Sequence, residues 1–138
     1  MTQTEKITII IDTNFLLIPA QFGVDIFEEI DKICLFPYEI AIIDKTQSEL
    51  KGIAEEGSGG DKKAVKLALA LLEAKEVKII ETETQKSYVD KILVEITSRS
   101  PNNYIIATQD KELKAKLAEK GIKTIGLRQK KYLQIQNP

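Results

Sequence analysis

The 138-residue chain contains no histidine, no tryptophan and a single cysteine, Cys34. Without an imidazole base, neither a Ser-His-Asp nor a Cys-His hydrolytic centre can be assembled. The same shortage leaves too few nitrogen and sulfur ligands for a zinc site. One thiol cannot form an internal disulfide, which fits the reducing cytoplasm where we expect the protein to act. Carboxylates are what remains for chemistry, and they favour hard divalent cations such as Mg²⁺ or Mn²⁺.

Long hydrophobic runs are also absent, since no run approaches the roughly 20 residues that a membrane helix needs. The N-terminus lacks the basic, apolar and small-residue regions of a signal peptide. We therefore expect no membrane association. Hydrophobic residues make up 43% of the chain and charged residues 30%, which is typical of a globular protein. The length suits one domain that spans residues 1–138.

The charges are unevenly distributed, although the net charge is only −1. The stretch from Lys111 to Lys131 holds eight lysines and arginines against two glutamates, a net +6, so the remaining residues carry −7. A basic C-terminal segment (111–138) on an acidic body suggests a polyanionic partner. The alternative is a solvated helix face followed by a lysine-rich tail.

Short apolar runs alternate with helical patterns along the chain. The predicted strands are Ile7–Ile11, Glu39–Ile43, Val77–Ile80, Tyr104–Ala107 and Lys123–Leu127. The predicted helices are Val24–Leu35, Thr46–Glu56, a segment capped by Asp61 that runs through Ala74, Gln85–Ser98, and Lys111–Lys120 closed by Gly121. Strands separated by helices pair in parallel through right-handed crossovers. The pattern predicts a three-layer α/β/α fold around a parallel five-stranded sheet.

Acidic residues follow two of the apolar strands. Asp12 comes directly after the first strand, and Asp110 follows the fourth. Ligands of open α/β sheets bind outside the carboxyl ends of the strands. If these strands are neighbours, their ends lie about 5 Å apart. A divalent cation would then offset the repulsion between the two carboxylates.

Each acid also has a structural interpretation. Asp12 can form an Asx turn or a cap, and Asp110 can cap the helix that begins at Lys111. Glu49 stands three residues after Thr46, as in a capping box, in which it would bond back to the Thr46 backbone N–H. Asp90 lies on the border of an amphipathic helix, where an acid is usually just solvated.

Taken in order, these segments resemble the PIN-domain ribonucleases. The resemblance is carried by IDTN after the first strand, TQSEL, YVDKI, IIATQDKEL and GIKTIGLRQKKYL, and it spans Ile7 to about Leu133. The last segment looks most like archaeal relatives of the small-subunit-processome PIN nucleases, which act on ribosomal RNA precursors.

The resemblance implies a Mg²⁺- or Mn²⁺-dependent endoribonuclease. Its catalytic and metal-binding acids correspond to Asp12, Glu49, Asp90 and Asp110, and Asn14 and Thr108 would support them. Two departures from the family pattern stand out. Lys91 follows Asp90 where the family often has a second acid, which could weaken a second metal site. Gln109 stands where the family often has Asn, and it keeps the amide.

A divalent cation can activate water for attack on phosphorus without any histidine. Because clustered acids repel RNA, basic residues must attract it, and we expect Arg128, Lys130 and Lys131 to contact phosphates. Ribosomal RNA processing is the predicted role. A toxin-type ribonuclease held by an antitoxin, or a non-catalytic RNA-binding or assembly module, remains an alternative.

The segment after the first acid is rich in large apolar residues, namely Phe15, Leu16, Leu17, Ile18 and Phe22. One short turn cannot bury so many of them alone. We therefore expect part of this segment to form a contact within a homo-oligomer, either a dimer or a tetramer.

Overall fold

The computed structural model describes residues 6–82 and 88–138. The strands within those ranges are β1 (Ile7–Ile11), β2 (Tyr38–Ile43), β3 (Lys78–Ile80), β4 (Tyr104–Ala107), β5 (Lys123–Arg128) and β6 (Tyr132–Gln136). The α-helices are α1 (Ile18–Phe22), α2 (Ile26–Ile33), α3 (Thr46–Glu56), α4 (Gly59–Ala74), α5 (Val89–Ser98) and α6 (Lys111–Glu119). Short 3₁₀ helices precede α1 (Thr13–Leu17) and β4 (Pro101–Asn103). None of these helices is long and apolar enough to cross a membrane.

The strands form one sheet in the order β3-β2-β1-β4-β5-β6. β1 lies at its centre and pairs in parallel with β2 and β4, so that Ile9 stands beside Ile40 and Ile105. The predicted α/β class and the neighbouring positions of β1 and β4 are confirmed. The five predicted strands pair in parallel as expected, and a sixth strand that was not predicted extends the sheet at one edge. There the chain turns back after Arg128, and β6 pairs antiparallel with β5.

Both faces of the sheet are covered, which gives the predicted three layers. Alternate residues of β1 point to opposite sides, since Ile9 and Ile11 belong to one apolar cluster and Ile10 to the other. The larger cluster holds residues of α1 to α4, and the smaller one holds residues of α5 and α6. The central strands β1 and β4 thus need apolar side chains on both faces, which explains why nearly all of their residues are apolar.

Several helix ends differ from the predicted ones for local reasons. Asp25 caps α2 by accepting hydrogen bonds from the Phe27 and Glu28 backbone N–H groups, so the helix starts after Val24. α4 begins at Gly59 rather than after Asp61. Ser58 is its cap, and Asp61 reaches back to complete a capping box. The helix predicted over Gln85–Ser98 begins at Val89 as described, and positions 85–87 lie outside the described residues.

The apolar segment after Asp12 is buried within the chain. Phe15, Leu16, Leu17 and Ile18 are each at most 4% exposed, because the 3₁₀ helix folds them into the larger core cluster. Phe22 is the member of this group that stays accessible, at 42%. The expectation that most of this segment is exposed is therefore wrong, and a dimer or tetramer stays a prediction.

Candidate functional site

The carboxyl ends of β1 and β4 hold Asp12 in place. Its backbone N–H donates to the Ala107 carbonyl at 2.9 Å, which continues the pairing of the two strands by one residue. One carboxylate oxygen accepts from the Thr13 N–H at 2.9 Å and the other from the Thr108 hydroxyl at 2.8 Å. Asp12 is only 7% exposed and Thr108 is fully buried. The orientation of this carboxylate is therefore fixed by the backbone and by a buried hydroxyl.

Thr108 also connects Asp12 to Asp110, because its hydroxyl oxygen accepts from the Asp110 backbone N–H at 3.1 Å. The Asp110 Oδ1 atom accepts from the Glu112 and Leu113 N–H groups and caps α6. The capping role suggested by the sequence is real. Asp110 nevertheless lines the same cleft as Asp12, so capping and a place in the site coexist in one residue.

Glu49 does not form the predicted capping box. The residue at the cap position is Lys45, and Thr46 is already the first helical residue. Glu49 Oε1 instead accepts a hydrogen bond from the Thr13 hydroxyl. This bond ties the first turn of α3 to the residue that follows Asp12. The hydroxyl of the fully buried Thr46 has no hydrogen-bond partner among the described residues.

Asp90 is the second residue of α5 and reaches the cleft from the opposite side of the sheet. Partial desolvation, and then the charge of Asp110, raise the pKa of Asp90, while Lys116 opposes them. The neighbouring Lys91 is directed elsewhere, with its Nζ atom 5.2 Å from the centre of the Tyr88 ring. The positive charge at the family's second acid position is therefore engaged outside the cleft.

These side chains surround a cleft of about 470 Å³ at the carboxyl edge of the sheet. Its lining comprises Asp12, Thr13, Asn14, Glu49, Gly52, Ile53, Glu56, Asp90 and Asp110. All four predicted acids and Asn14 thus meet in one place. Thr13 and Glu56 also line the cleft, and neither is among the predicted site residues. The spacing of 49, 52, 53 and 56, which is one face of a helix, was the available signal for Glu56.

Not every acid at this edge belongs to the cleft. Asp44 follows β2 directly, but its carboxylate accepts from the Thr82 hydroxyl at 2.6 Å and from the Thr82 N–H at 3.1 Å. Burial, which raises the pKa of Asp44, is outweighed by these hydrogen bonds, which lower it. A larger groove of about 1030 Å³ lies near the starts of β2 and β3, and it contains none of the four acids.

The electrostatics of the cleft disfavour negative charge at Asp12. The pKa of Asp12 is raised from 3.8 to about 6, and burial is the largest cause. The hydrogen bond from Thr108 opposes this rise, whereas the charges of Asp90 and Glu49 contribute to it. A buried carboxylate surrounded by other acids is stabilised by a cation.

The donor set fits a divalent cation by chemistry, because oxygen ligands and surplus negative charge are what Mg²⁺ and Mn²⁺ require. Within residues 6–82 and 88–138, however, no three acidic, histidine or cysteine side chains are grouped closely enough to hold one ion. The residues therefore match the cation in type and charge, and the carboxylates stand around an open cleft.

The three predicted RNA-binding residues lie outside the cleft, on the β5–β6 hairpin. The Lys131 N–H donates to the Arg128 carbonyl at 3.0 Å and closes a turn whose central residues, Gln129 and Lys130, both have positive φ. This is the backbone pattern of a hairpin turn. Because β5 runs parallel to β1 and β4, Arg128 reaches the same edge of the sheet as the acids. All three cations are exposed.

Gln109 fixes the hairpin beside the cleft. β4 ends at Ala107, so its last pairing contact is the Thr108 N–H, which donates to the Ile125 carbonyl. Two residues further on, the Leu127 N–H donates to the side-chain oxygen of Gln109 at 2.7 Å. The amide that replaces the family's Asn thus continues the ladder beyond the end of the strand.

Comparisons with known proteins agree with this geometry. A family model described as a PIN-like domain matches residues 9–130. Ribonuclease VapC4 of Methanocaldococcus jannaschii is 34% identical over 129 residues, which cover 92% of this chain and 95% of that protein.

Two solved structures share the fold. The PIN domain endonuclease Utp24 matches with a TM-score of 0.77 at 20% identity, over 95% of this chain and 92% of that one. A domain of a functionally unknown protein from Methanocaldococcus jannaschii matches with a TM-score of 0.57 at 16% identity, over 88% and 91%. The family model and the VapC4 identity together decide the assignment: the chain belongs to the PIN-domain nuclease family.

Proposed function

We propose that the protein is an endoribonuclease that depends on Mg²⁺ or Mn²⁺ and hydrolyses phosphodiester bonds of RNA. The observation that carries the proposal is the cleft itself. Five acids from four separate segments of the chain line it, and the most buried of them, Asp12, has a raised pKa. The relatives named as a ribonuclease and as an endonuclease support the same chemistry.

In this proposal Asp12, Glu49, Asp90 and Asp110 hold the cation. When bound, the cation lowers the pKa of water and offsets charge on the phosphate. The chain's own part is positioning. The buried Thr108 hydroxyl fixes Asp12 and contacts the Asp110 backbone, and the Thr13 hydroxyl fixes Glu49. With no histidine in the chain, proton transfer by imidazole plays no part.

RNA must approach a cleft that is rich in negative charge. The exposed cations of the β5–β6 hairpin, Arg128, Lys130 and Lys131, are proposed to attract its backbone. Their position at the same sheet edge as the acids supports this role. Such contacts are electrostatic, so binding should weaken steeply as salt rises.

The experiment is a cleavage assay on a structured RNA in Mn²⁺, Mg²⁺ or EDTA. Asp12→Asn and Asp110→Asn should each reduce cleavage at least 100-fold, by analogy with the loss of a catalytic ligand. Asp44→Asn is the matched control, because it removes an acid from the same sheet edge but outside the cleft. Cleavage that survives EDTA, or that resists both cleft substitutions, would contradict the proposal.

Metal binding can be measured without activity. Mn²⁺ should raise the melting temperature of the wild type and of Asp44→Asn, and it should do so much less for Asp12→Asn. RNA binding by a wild-type protein that neither cleaves nor responds to Mn²⁺ would favour the non-catalytic module instead.

Two biological roles fit such an enzyme. Processing of ribosomal RNA precursors is the role that we propose from the resemblance in GLRQKKYL. A toxin-type ribonuclease, inhibited by a protein antitoxin, is favoured by the 34% identity to VapC4. A small antitoxin gene beside this gene, and growth arrest on expression that the antitoxin relieves, would decide for the second role. Accumulation of a ribosomal RNA precursor on depletion would decide for the first.

A further inference from the structure

The β5–β6 hairpin has one apolar face and one polar face. Leu127, Leu133 and Ile135 pack against the larger core cluster. Alternation along the two strands therefore directs Gly126, Arg128 and Gln136 to the other face. α6 lies against β5 on that face, with Leu113 and Leu117 in the smaller core cluster. The polar face thus forms a surface between the helix and the last strand.

Gly126 is the floor of this surface. A Cβ atom at this position would lie 2.7 Å from the Lys114 Nζ atom, 3.2 Å from Gln109 Oε1 and 3.3 Å from Gln136 Oε1. An ammonium group and two amide oxygens therefore converge above one residue without a side chain. The glycine leaves the space that a side chain would otherwise fill.

The charges that act most strongly on Lys114 are both positive. Lys114 is half-buried, and desolvation, followed by the charges of Arg128 and Lys111, lowers the pKa of Lys114. In the described part of the chain, neither Lys111, Lys114 nor Arg128 forms a salt bridge, and the Lys114 Nζ atom makes no hydrogen bond. Three neighbouring cations that lack salt-bridge partners repel one another, and an anion that they share would relieve the repulsion.

We propose that Lys111, Lys114 and Arg128 form a binding site, over Gly126, for one phosphate group of the RNA backbone next to the bond that is cut. The inference rests on the proposed function for the identity of the anion. Gln109 and Lys111 flank the cleft residue Asp110 in the chain, so the site adjoins the acids. Arg128 can contact two phosphate oxygens with its planar fork, and the lysines add point charges.

The test is RNA binding measured by fluorescence anisotropy in EDTA, where cleavage is blocked, across a series of KCl concentrations. Lys114→Gln should weaken binding about tenfold and reduce the slope of log K against log[KCl] by about 0.7, the value for one phosphate contact on a single strand. Lys120→Gln is the matched control, since it removes the same charge at the other end of α6. It should change affinity less than twofold.

Gly126→Ala changes no charge and suits a strand, yet it places a methyl group 2.7 Å from the present position of the Lys114 Nζ atom, which must then move. It should weaken binding several-fold while leaving the melting temperature within about 2 °C. Millimolar inorganic phosphate, compared with KCl of equal ionic strength, distinguishes RNA from a free anion. If phosphate stabilises the wild type but not Lys114→Gln, and both bind RNA equally, the site is not an RNA site.

Failure of this inference and failure of the proposed function give different results. Equal losses in Lys114→Gln and Lys120→Gln, or no loss in Lys114→Gln and Gly126→Ala, would overturn the phosphate site even if the wild type cleaves RNA. A wild type that never cleaves in Mn²⁺, but whose RNA binding falls specifically in Lys114→Gln, would sustain the site and overturn the nuclease.

Discussion

The acids of the cleft and the cations of the hairpin are held in opposite ways. Both carboxylate oxygens of Asp12 accept hydrogen bonds, and the residue is 7% exposed. Arg128, Lys130 and Lys131 are exposed and form no salt bridge with any residue in the described ranges. Asp12 is oriented before any ligand arrives, and the cations keep their side chains free.

The difference follows from what each group must do. A cation ligand acts at short range and must be placed within a fraction of an ångström, so its orientation is fixed by packing and hydrogen bonds. Attraction of a polyanion acts over about a Debye length and tolerates mobile side chains. Burial of the ionised Asp12 carboxylate therefore lowers the stability of the folded protein, whereas the exposed cations of the hairpin carry no such cost.

The largest effect should be on stability, at Asp12. Its pKa, raised from 3.8 to about 6, means that the folded protein holds a proton between pH 4 and 6 that the unfolded chain has lost. Stability therefore falls as pH rises through this window, and above pH 6 the cost reaches up to about 3 kcal/mol. In EDTA, Asp12→Asn should stabilise the protein at pH 7 to 8 and have no effect at pH 4, as measured by urea unfolding.

The control for this prediction has the opposite sign. The pKa of Asp44 is lowered by its hydrogen bonds from Thr82, so its ionised form is favoured in the folded state. Asp44→Asn should destabilise the protein at pH 7, and the loss should vanish at low pH. If both substitutions destabilise the protein at pH 7, burial of the ionised Asp12 carboxylate does not lower the stability of the folded protein.

The second effect concerns Thr108. Thr108→Val keeps the shape but removes the hydrogen bond to Asp12 and the acceptor of the Asp110 N–H. Loss of such a partner of a metal ligand reduces activity roughly 10- to 100-fold. Single-turnover cleavage should show this loss, with RNA affinity in EDTA unchanged. Thr97→Val is matched to it, because Thr97 is also fully buried and its hydroxyl bonds a helix carbonyl away from the cleft. An equal loss of cleavage in both variants would mean that Thr108 acts only through stability.

What the sequence could predict depends on how local each signal is. The apolar runs Ile7–Ile11 and Tyr104–Ala107 predict their strands to the residue, because central parallel strands need apolar side chains on both faces. The placement of Asp12 beside Asp110 follows from those two strands. β6 was missed although Leu133 and Ile135 alternate with polar residues, since the basic turn before it resembles a solvated tail.

Other features depend on contacts that no local pattern contains. The capping box at Thr46 fails by a shift of one residue, and Glu49 bonds to Thr13, which is 36 positions away in the chain. The side chains from Phe15 to Ile18 are buried because the 3₁₀ helix Thr13–Leu17 directs them into the larger core cluster on one face of the sheet. Lys114 meets Gly126 only because α6 crosses β5 at that point.

Gln109 connects the cleft to the β5–β6 hairpin through its hydrogen bond with the Leu127 N–H. Gln109→Ala removes the acceptor of the Leu127 N–H, which is worth about 1 kcal/mol. The Leu127 amide should exchange with solvent about fivefold faster, and RNA affinity should fall modestly as the hairpin loosens. Gln134→Ala, an exposed change on the same hairpin, should alter neither quantity. An unchanged exchange rate at Leu127 in Gln109→Ala would show that the hairpin holds its place without this bond.

The smallest expected effect is a change in stability at Lys130 in the hairpin turn. It distinguishes the loss of a positive charge from the relief of backbone strain. Lys130 has a φ of 56°, a left-handed conformation that costs a residue with a side chain about 1 kcal/mol and glycine nothing. Lys130→Gly should therefore stabilise the protein by about 0.5 kcal/mol, after the larger entropy that glycine loses on folding, and still weaken RNA binding. Lys131→Gly removes the same charge from a residue outside the left-handed group, so it should weaken binding but destabilise the protein. If both variants lose stability in urea unfolding, the left-handed backbone of Lys130 is not a source of strain.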